Sequence, residues 1–477
     1  MELGGLPDSW SWVSLKDVLS EPLINGRSVK TMEGGFPVLR LTAITGGNID
    51  LGASKEGAWG AEQAGPFLVH EGDFLLSRGN GSKRLVGRGG LVGAVESPVA
   101  FPDTMIRVRL SDDLISTSYF RSLWDSPVVR RQIEEQVRTT AGIYKLNQAI
   151  LERVSLPLPP LAEQHRIVEA LEEELSRLEA GVATLHVVRR RLVGLRKVIL
   201  VSSVPDALPS SWKMSTVEGA GTVELGRARH PDWHHGPNMR PYLRVANVFE
   251  DRIDTADVME MDFSGLWEKY RLEPGDVLLN EGQSPHLVGR PALYRGIPKD
   301  VAFTNSLLRF KAGNGVLPEW ALLVFRRHLH AKRFMREVRI TTNIAHLSSK
   351  RLKVVEFPIP PLDVQERLVQ RCDELLSGVD AMEQQVSSGL RRANGLRAAL
   401  LNRAFTGKLV SQQPDDAPIA PLLARIAADQ AGQAKPGRGR PGRVGKALKA
   451  PAQRAATRPA PEPTPAPALA VQQEFDL

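Results

Sequence analysis

The residues with the most obvious capacity for metal chemistry are the histidines in the segment ARHPDWHHG, residues 228–236. His230 and His234 are four residues apart, a spacing at which two imidazoles on one helix can bind a metal ion. Pro231 disfavours a helix at this position, and no obvious carboxylate or cysteine partner completes a ligand set. We therefore interpret the segment as a solvated loop and predict no metal site.

Patterns that carry nuclease, amino-methyltransferase or nucleotide-hydrolysing chemistry are missing from the sequence. It contains no Asp-x-Lys or Glu-x-Lys and no Asn-Pro-Pro or Asp-Pro-Pro. Gly407-Lys408 and Gly445-Lys446 lack both the upstream glycine and the following Ser or Thr of a phosphate-binding loop. We therefore predict a non-catalytic polypeptide whose chemistry is binding.

The chain contains two copies of one pattern. PLPPLAEQHRIV begins at Pro157 and PIPPLDVQERLV begins at Pro358, 201 residues later. Further matches, in the same order, pair Trp12 with Trp212, Leu39-Arg40 with Leu243-Arg244, Gly72-Asp73 with Gly275-Asp276, Leu85–Arg88 with Leu287–Arg290, and Thr139-Thr140 with Thr341-Thr342. A double proline presets the backbone for a first helical turn, so each copy predicts a helix start.

Each copy predicts a mixed module of short strands and helices. Strand-like segments bounded by glycines are followed by helical spacing over residues 119–137 and again over 320–338. The fold class is therefore α+β, with two tandem modules at residues 1–156 and 205–357.

A long helix is predicted after each module, at residues 157–204 and 358–410. Apolar residues recur every seven positions, as Leu171, Leu178, Leu185, Leu192 and Ile199 in the first helix, and as Cys372, Val379, Val386, Ala393 and Leu400 beside Leu368, Leu375, Met382 and Leu396 in the second. This period is typical of a coiled coil, although Gly389 interrupts the second pattern. We predict an antiparallel coiled coil, and the alternative is two helices that each cover their own module.

Composition limits the remaining possibilities. The 477 residues carry a formal charge of +8 and a single cysteine, which indicates a reducing, cytoplasmic environment. We expect neither a secretory signal nor a membrane span. Residues 411–477 are rich in Pro, Ala, Gly and Arg, and we predict a disordered basic tail. Its Arg-Gly-Arg-Pro at residues 438–441 resembles an AT-hook core, although a nonspecific basic tail is the favoured interpretation.

These features together resemble the specificity (S) subunit of type I restriction–modification systems, over about residues 8–410. The two PxPPLxxQxRxV stretches, the Gly-Asp-x-Leu-Leu motifs and NRAFTGKLV at Asn402–Val410 carry the resemblance. It implies two target-recognition domains, each of which binds half of a split, asymmetric sequence in double-stranded DNA, with the helices as spacer. It also implies two methyltransferase subunits for adenine methylation and two restriction subunits for cleavage. S-adenosylmethionine, ATP and magnesium would serve those partners, and this chain needs no cofactor.

Candidate base-reading residues lie where the two copies differ. After a shared Leu-Leu pair, one copy has SRGNGSKR at Ser77–Arg84 and the other has NEGQSPH at Asn280–His286. Arginine and lysine can donate to guanine, asparagine and glutamine can pair with adenine, and glutamate can accept from cytosine. We predict DNA contacts from Arg78, Lys83, Arg84, Asn280, Glu281, Gln283 and His286. The alternative is that these are solvated hairpin tips.

The remaining predicted DNA contacts are Arg88, Thr139, Thr140, Lys145, Arg290, Arg333, Arg336, Thr341 and Thr342. Arg88 and Arg290 occur in both copies, so contact with phosphate suits them better than base discrimination. Arg333 and Arg336 belong to a basic segment that also contains Arg326, Arg327, Lys332 and Arg339, which we interpret as a phosphate-facing surface.

Outward positions on the helices are predicted to bind the methyltransferase subunits. They are Gln164, Arg166, Glu172, Arg177, Gln365, Arg367, Glu374 and Arg391. The alternative for these residues is an ordinary solvated helix face. The alternative function for the whole chain is a coiled-coil adaptor that presents two protein-binding domains.

Overall fold

The computed structural model describes residues 5–140, 142–205, 207, 209–341 and 344–433. The chain divides into a compact unit that ends at Ala420 and a second unit that begins at Pro421. The first unit contains two α+β modules and two long helices, which confirms the predicted fold class. Within the described ranges, no helix is both long and apolar enough to cross a membrane.

The first module is closed by its two end strands, since Ser11–Ser14 runs antiparallel to Ser155–Leu158. Its helices are Ala61–Ala64, Thr117–Trp124, Pro127–Gln136 and Gln148–Glu152. Its strands are Ser11–Ser14, Ile24–Asn25, Thr31–Leu39, Ile44–Thr45, Asn48–Ile49, Ser54–Gly57, Phe74–Ser77, Gly79–Asn80, Gly89–Leu91, Met105–Val108, Arg138–Thr140, Ile143–Lys145 and Ser155–Leu158.

The second module is closed in the same way, by Lys213–Thr216 against Glu356–Ile359. Its helices are Val217–Ala220, Trp267–Tyr270, Pro318–His330 and Ser349–Lys353. Its strands are Lys213–Thr216, Gly221–Leu225, Met239–Leu243, Val248–Phe249, Arg252–Ile253, Met259–Asp262, Val277–Asn280, Gly282–Gln283, Pro291–Leu293, Ala302–Phe303, Leu307–Ala312, Arg339–Thr341, Ile344–His346 and Glu356–Ile359.

The closing strands correct one pairing of the repeat. Trp12 lies opposite Pro157, whereas Met214 lies opposite Pro358, so Trp12 corresponds to Met214. Trp212 instead corresponds to Trp10, because both residues donate a backbone N–H to the proline three positions earlier, at 3.0 and 2.9 Å.

The Gly-Asp-x-Leu-Leu motif builds the central strand of each module. Phe74–Ser77 lies between two antiparallel neighbours in a six-stranded sheet, and Val277–Asn280 does so in a four-stranded sheet. Gly72 and Gly275 have φ of 86° and 101°, values that favour glycine, and so permit the tight turn into each strand. The aspartate that follows each glycine accepts a backbone N–H within this turn.

Neither of the helices predicted over 119–137 and 320–338 is continuous over its whole range. The first is divided in two, because Pro127 has no N–H to donate and begins a new helix after Ser126. The second ends at His330, and Lys332 then takes a left-handed conformation before a short 3-10 turn over Arg333–Arg336.

A buried glutamine anchors the start of each long helix, Leu161–Ser202 and Leu362–Ala404. Gln164 accepts the N–H of Ser116 and donates to the carbonyls of Leu114 and Pro159, at 2.8, 2.8 and 2.9 Å. Gln365 makes the same three bonds, to Leu317, Gly315 and Pro360. Both side chains are fully buried. Gln164 and Gln365 are therefore not exposed to make the contacts predicted for them with methyltransferase subunits.

The two long helices run antiparallel and in contact. Arg196 pairs with Asp380, whereas Arg397 pairs with Glu179 at 2.9 Å, so residue numbers rise on one helix as they fall on the other. Leu192, Val379 and Val386 form the centre of the seam. Gly389 does not break the helix, and the absence of its side chain admits Leu185. The antiparallel coiled coil is therefore confirmed, and the two separate helices of the alternative are not found.

Only one of the two heptad lines predicted for the second helix lies in the seam. Cys372, Val379, Val386 and Ala393 are buried, and burial raises the pKa of the Cys372 thiol to about 11. Three members of the other line, Leu375, Met382 and Leu396, are turned outward and exposed by 48%, 43% and 56%. Its first member, Leu368, packs against the core of the second module. A heptad pattern alone does not decide which line meets the partner helix.

Each long helix begins beside one module and ends in the other. Leu200 and Val204, at the end of the first helix, belong to the core of the second module. Phe405, just after the second helix, packs against Tyr119 of the first module with ring centroids 5.5 Å apart. The modules are therefore held at both ends of one rod.

The disorder predicted from residue 411 is wrong for residues 411–433. Gln412 donates to the buried carboxylate of Glu163, whose pKa burial raises, and Asp416 accepts from Arg166 at 3.1 Å. A helix follows over Ile419–Gln433. This segment has apolar residues at helical spacing, which its high Ala and Pro content concealed. The basic residues after 433, including Arg438 and Arg440, lie outside the described residues.

The seam predicts different costs for two leucines on the same helix. Leu192 is 5% exposed and Leu195 is 42% exposed. Leu192→Ala should lower the free energy of unfolding by about 2–4 kcal/mol, because it leaves a cavity between the helices. Leu195→Ala should change it by less than about 0.5 kcal/mol. Urea unfolding followed by circular dichroism measures both, and equal losses would contradict the seam.

Candidate nucleic-acid interface

Each module carries a small three-stranded sheet that joins distant parts of the sequence. In the first, Ile143–Lys145 lies between Gly79–Asn80 and Arg138–Thr140. In the second, Ile344–His346 lies between Gly282–Gln283 and Arg339–Thr341. The structure thus brings each predicted base-reading segment beside a hairpin about 60 residues later in the chain. We call these sheets the first and second reader sheets.

The strand register corrects the alignment of the two hairpins. Arg138, Thr139 and Thr140 face Lys145, Tyr144 and Ile143. Arg339, Ile340 and Thr341 face His346, Ala345 and Ile344 in the same order. Thr140 therefore corresponds to Thr341, and Thr139 corresponds to Ile340. Thr139, Thr140 and Thr341 lie on these strands, whereas Thr342 lies outside the described residues.

The first reader sheet presents basic side chains to solvent. Lys83, Arg84 and Lys145 are exposed, and within the described part of the chain none of the three has an acidic partner. Arg78 is half-buried and donates to the carbonyl of Asp103 at 3.4 Å. The DNA contacts predicted for these four residues are consistent with their placement and stay predictions.

Arg88 and Arg290 each contact other residues of their own module at equivalent places, although the side chain of Arg88 remains 40% exposed. Arg88 lies 2.6 Å from Asp125 and also donates to the carbonyl of Arg84. Arg290 lies over the ring of Phe249 at 4.7 Å and donates to the carbonyl of Val248, and burial lowers its pKa. These contacts stabilise the base of each reader loop, and the phosphate contacts predicted for both arginines stay predictions.

The second reader sheet differs in chemistry from the first. Gln283 is partly exposed and His286 is exposed, whereas Asn280 is fully buried as the last residue of the central strand. The adenine contact predicted for Asn280 therefore has no support from the geometry. The carboxylate of Glu281 lies 3.2 Å from Nδ1 of His346, a residue that the sequence analysis did not select.

Two arginines of the basic segment 326–339 are paired with acidic residues within the module. Arg333 donates to Glu356 at 2.6 Å and to Glu337 at 2.8 Å, so its charge is paired within the module. Arg326 is buried and donates to Glu250. Burial opposes ionisation of that carboxyl group, but hydrogen bonds from His330 and the charge of Arg326 lower its pKa to about 2. The phosphate-facing surface interpreted at Arg326 is wrong, whereas the prediction stays for the exposed Arg336.

A buried arginine that the sequence analysis missed supports the first reader loop. Arg130 donates to the carbonyls of Arg84 and Val86 at 3.2 and 3.0 Å, and burial lowers its pKa. The sequence did contain a signal for this role. Arg130 lies three residues before Ile133, and therefore on the apolar face of helix Pro127–Gln136.

This support can be tested with two neighbouring arginines. Arg130→Met keeps most of the aliphatic stem but leaves two carbonyls without a donor, which should cost about 1–3 kcal/mol of unfolding free energy. Amides at residues 84–88 should then exchange faster with solvent. Arg131→Met, at an exposed position, is the control and should change neither measurement. Unchanged exchange in Arg130→Met would show that the loop is supported from elsewhere.

Comparison with known proteins agrees with this geometry. The family model for the type I restriction modification DNA specificity domain matches residues 7–182. The EcoKI specificity subunit of Escherichia coli K12 is 23% identical over 465 residues, 90% of this chain and 97% of that protein. The StySPI specificity subunit of Salmonella potsdam is 24% identical, with the same coverage.

A chain from a solved structure of the type I R-M system shares the fold. Its TM-score is 0.68 at 19% identity, and the superposition covers 85% of this chain and 100% of that one. The family match covers the first module and the first half of the first long helix, while the relatives extend over both modules and both helices. Over 90% of its length the chain is therefore similar to specificity subunits of type I restriction enzymes, and its residues 7–182 match the DNA specificity domain of that family.

Proposed function

We propose that this chain is the non-catalytic subunit that selects the DNA sequence of a type I restriction–modification complex. One observation carries the proposal. The two modules present the same three-stranded reader sheet with different side chains, at the two ends of one rod. An asymmetric, split target requires two readers that share a backbone fold but differ in the side chains that contact bases.

Both reader sheets have a shape suited to duplex DNA, and the first also has the charge. A two-stranded β-ribbon fits the major groove, where base edges present a distinct pattern for each base pair. Segments 77–84 and 138–145 contain five basic and no acidic residues, whereas 280–286 and 339–346 contain one of each. Binding of the first half-site should therefore depend more strongly on salt than binding of the second.

The rod gives the two readers a fixed separation. The first long helix has 42 residues, about 63 Å at 1.5 Å per residue, and it is braced by its antiparallel neighbour. Half-sites on DNA are read efficiently when they lie on one face, about 34–36 Å or a multiple apart. Tethering two weak readers also raises the effective concentration of the second once the first has bound.

The same proposal assigns the domains. Residues 1–156 and 205–357 are the target-recognition domains, and residues 157–204 and 358–410 are the spacer. The closing strands support this division, because they end at Leu158 and Ile359, just before each long helix begins. Residues 411–420 belong with the folded part, since Gln412 and Asp416 contact the first spacer helix.

The spacer is the proposed docking surface for two methyltransferase subunits, which in turn admit two restriction subunits. Leu375, Met382 and Leu396 support this, because they form an apolar row that nothing in the described chain covers. Glu172, Arg177, Arg367, Glu374 and Arg391 are also exposed, whereas Arg166 is occupied by Asp416. The adenine methylation and cleavage belong to those partners, and a cytoplasmic location is part of the same proposal.

Methylome sequencing tests the function directly. Deletion of this gene in a host that expresses its methyltransferase partner should abolish methylation at one interrupted, asymmetric adenine motif. The purified complex should prefer that motif, and its affinity should fall steeply as salt rises. An unchanged methylome, together with binding that shows no sequence preference, would favour the adaptor function instead.

The docking surface can be tested separately from DNA recognition. The triple variant Leu375→Ser, Met382→Ser and Leu396→Ser should reduce co-purification of the methyltransferase at least about tenfold, because the buried apolar area supplies much of the affinity. Its thermal unfolding should match wild type, since all three side chains are exposed. Met32→Ser, Met214→Ser and Leu266→Ser, at exposed positions on the modules, form the control. Equal recovery of the partner with both triple variants would refute this surface.

A further inference from the structure

Two isoleucines occupy equivalent, exposed places in the two reader sheets. Ile143 faces Thr140 and Ile344 faces Thr341, each at the start of the strand that follows the hairpin turn. They are 46% and 47% exposed, although a β-branched apolar side chain normally packs in a strand. Neighbouring positions on the same strands differ, Tyr144 against Ala345 and Lys145 against His346. An apolar group is thus kept at one point of both readers while the polar groups around it change.

We propose that Ile143 and Ile344 each contact the 5-methyl group of a thymine, one in each half of the DNA target. The inference rests on the proposed function and names a part of the target chemistry. An isoleucine side chain has no hydrogen-bonding group, so it can discriminate between bases only through apolar contact. The thymine methyl is the apolar group that base edges present in the major groove.

The surroundings favour DNA as the occupant of these two positions. Lys145 is exposed beside Ile143, and Lys83 and Arg84 are exposed on the adjoining reader loop. Arg339 is exposed on the strand opposite Ile344, and Arg336 is exposed just before it. The second reader sheet also exposes Ile340, by 55%, on the strand that carries Arg339. One or two apolar side chains with cations around them suit a groove lined by phosphates, whereas an apolar protein surface would leave those cations unpaired.

The proposal predicts that each half of the target contains one thymine whose methyl group matters. Once methylome sequencing has given the target, each thymine is replaced in turn by uracil, which removes only that methyl group. Binding of the full complex with its methyltransferase subunits is then measured by fluorescence anisotropy. One replacement in each half should weaken binding about three- to fivefold, the loss for one buried methyl group. Lack of any sensitive thymine in either half would overturn the proposal without any protein variant.

Two variants assign the contacts to their side chains. Ile143→Ala should abolish the uracil effect in one half of the target only, and Ile344→Ala should abolish it in the other. Met214→Ala, at an exposed position on a different sheet, should leave both effects intact. Uracil effects that persist in both isoleucine variants would overturn the inference while leaving the proposed function standing. A wild-type complex without sequence preference would overturn both.

Discussion

The contact between the two long helices determines how the rest of the molecule can act. Leu192, Val379 and Val386 fill the centre of a narrow apolar seam, and ion pairs such as Arg397–Glu179 flank it. Because the helices run antiparallel, each one leaves one module and enters the core of the other. Neither module can then rotate freely against the rod. A fixed distance between two readers is therefore a consequence of side-chain packing along the seam.

The buried glutamines explain why the same short stretch occurs twice. Gln164 and Gln365 each satisfy three backbone groups at the junction of a module and a helix. A buried polar group left without a partner is costly, so the shape of the junction and the identity of the residue depend on each other. Each junction fixes the direction in which its helix leaves the module. The two junctions therefore give the molecule its approximate internal symmetry.

The reader sheets show how one frame can serve two different sequences. The central strands, the glycine turns before them and the hairpins are alike in both modules. Within these shared parts, side chains differ in the reader loops and in the strand that follows each hairpin, where Lys145 stands in one module and His346 in the other. Backbone hydrogen bonds hold these strands whatever their side chains are. The side chains can therefore change without loss of the sheet.

The amino-acid sequence by itself determined the duplication, the two helix starts, the seven-residue period and the resemblance to specificity subunits. These features depend on local backbone preference and on the spacing of apolar residues, and both can be read directly from the sequence. It did not determine which heptad line lies inside, so Leu375 and Met382 were placed in a seam that they do not enter. It also did not reveal that Asn280 and Arg326 are buried or that Arg130 supports the reader loop.

Only the tertiary structure decided the register of the two copies, in which Trp10 corresponds to Trp212 and Thr140 to Thr341. The physical reason is common to all these cases. Burial, strand pairing and ion-pair partners depend on residues far away in the chain, and a one-residue shift in register turns every side chain to the opposite face.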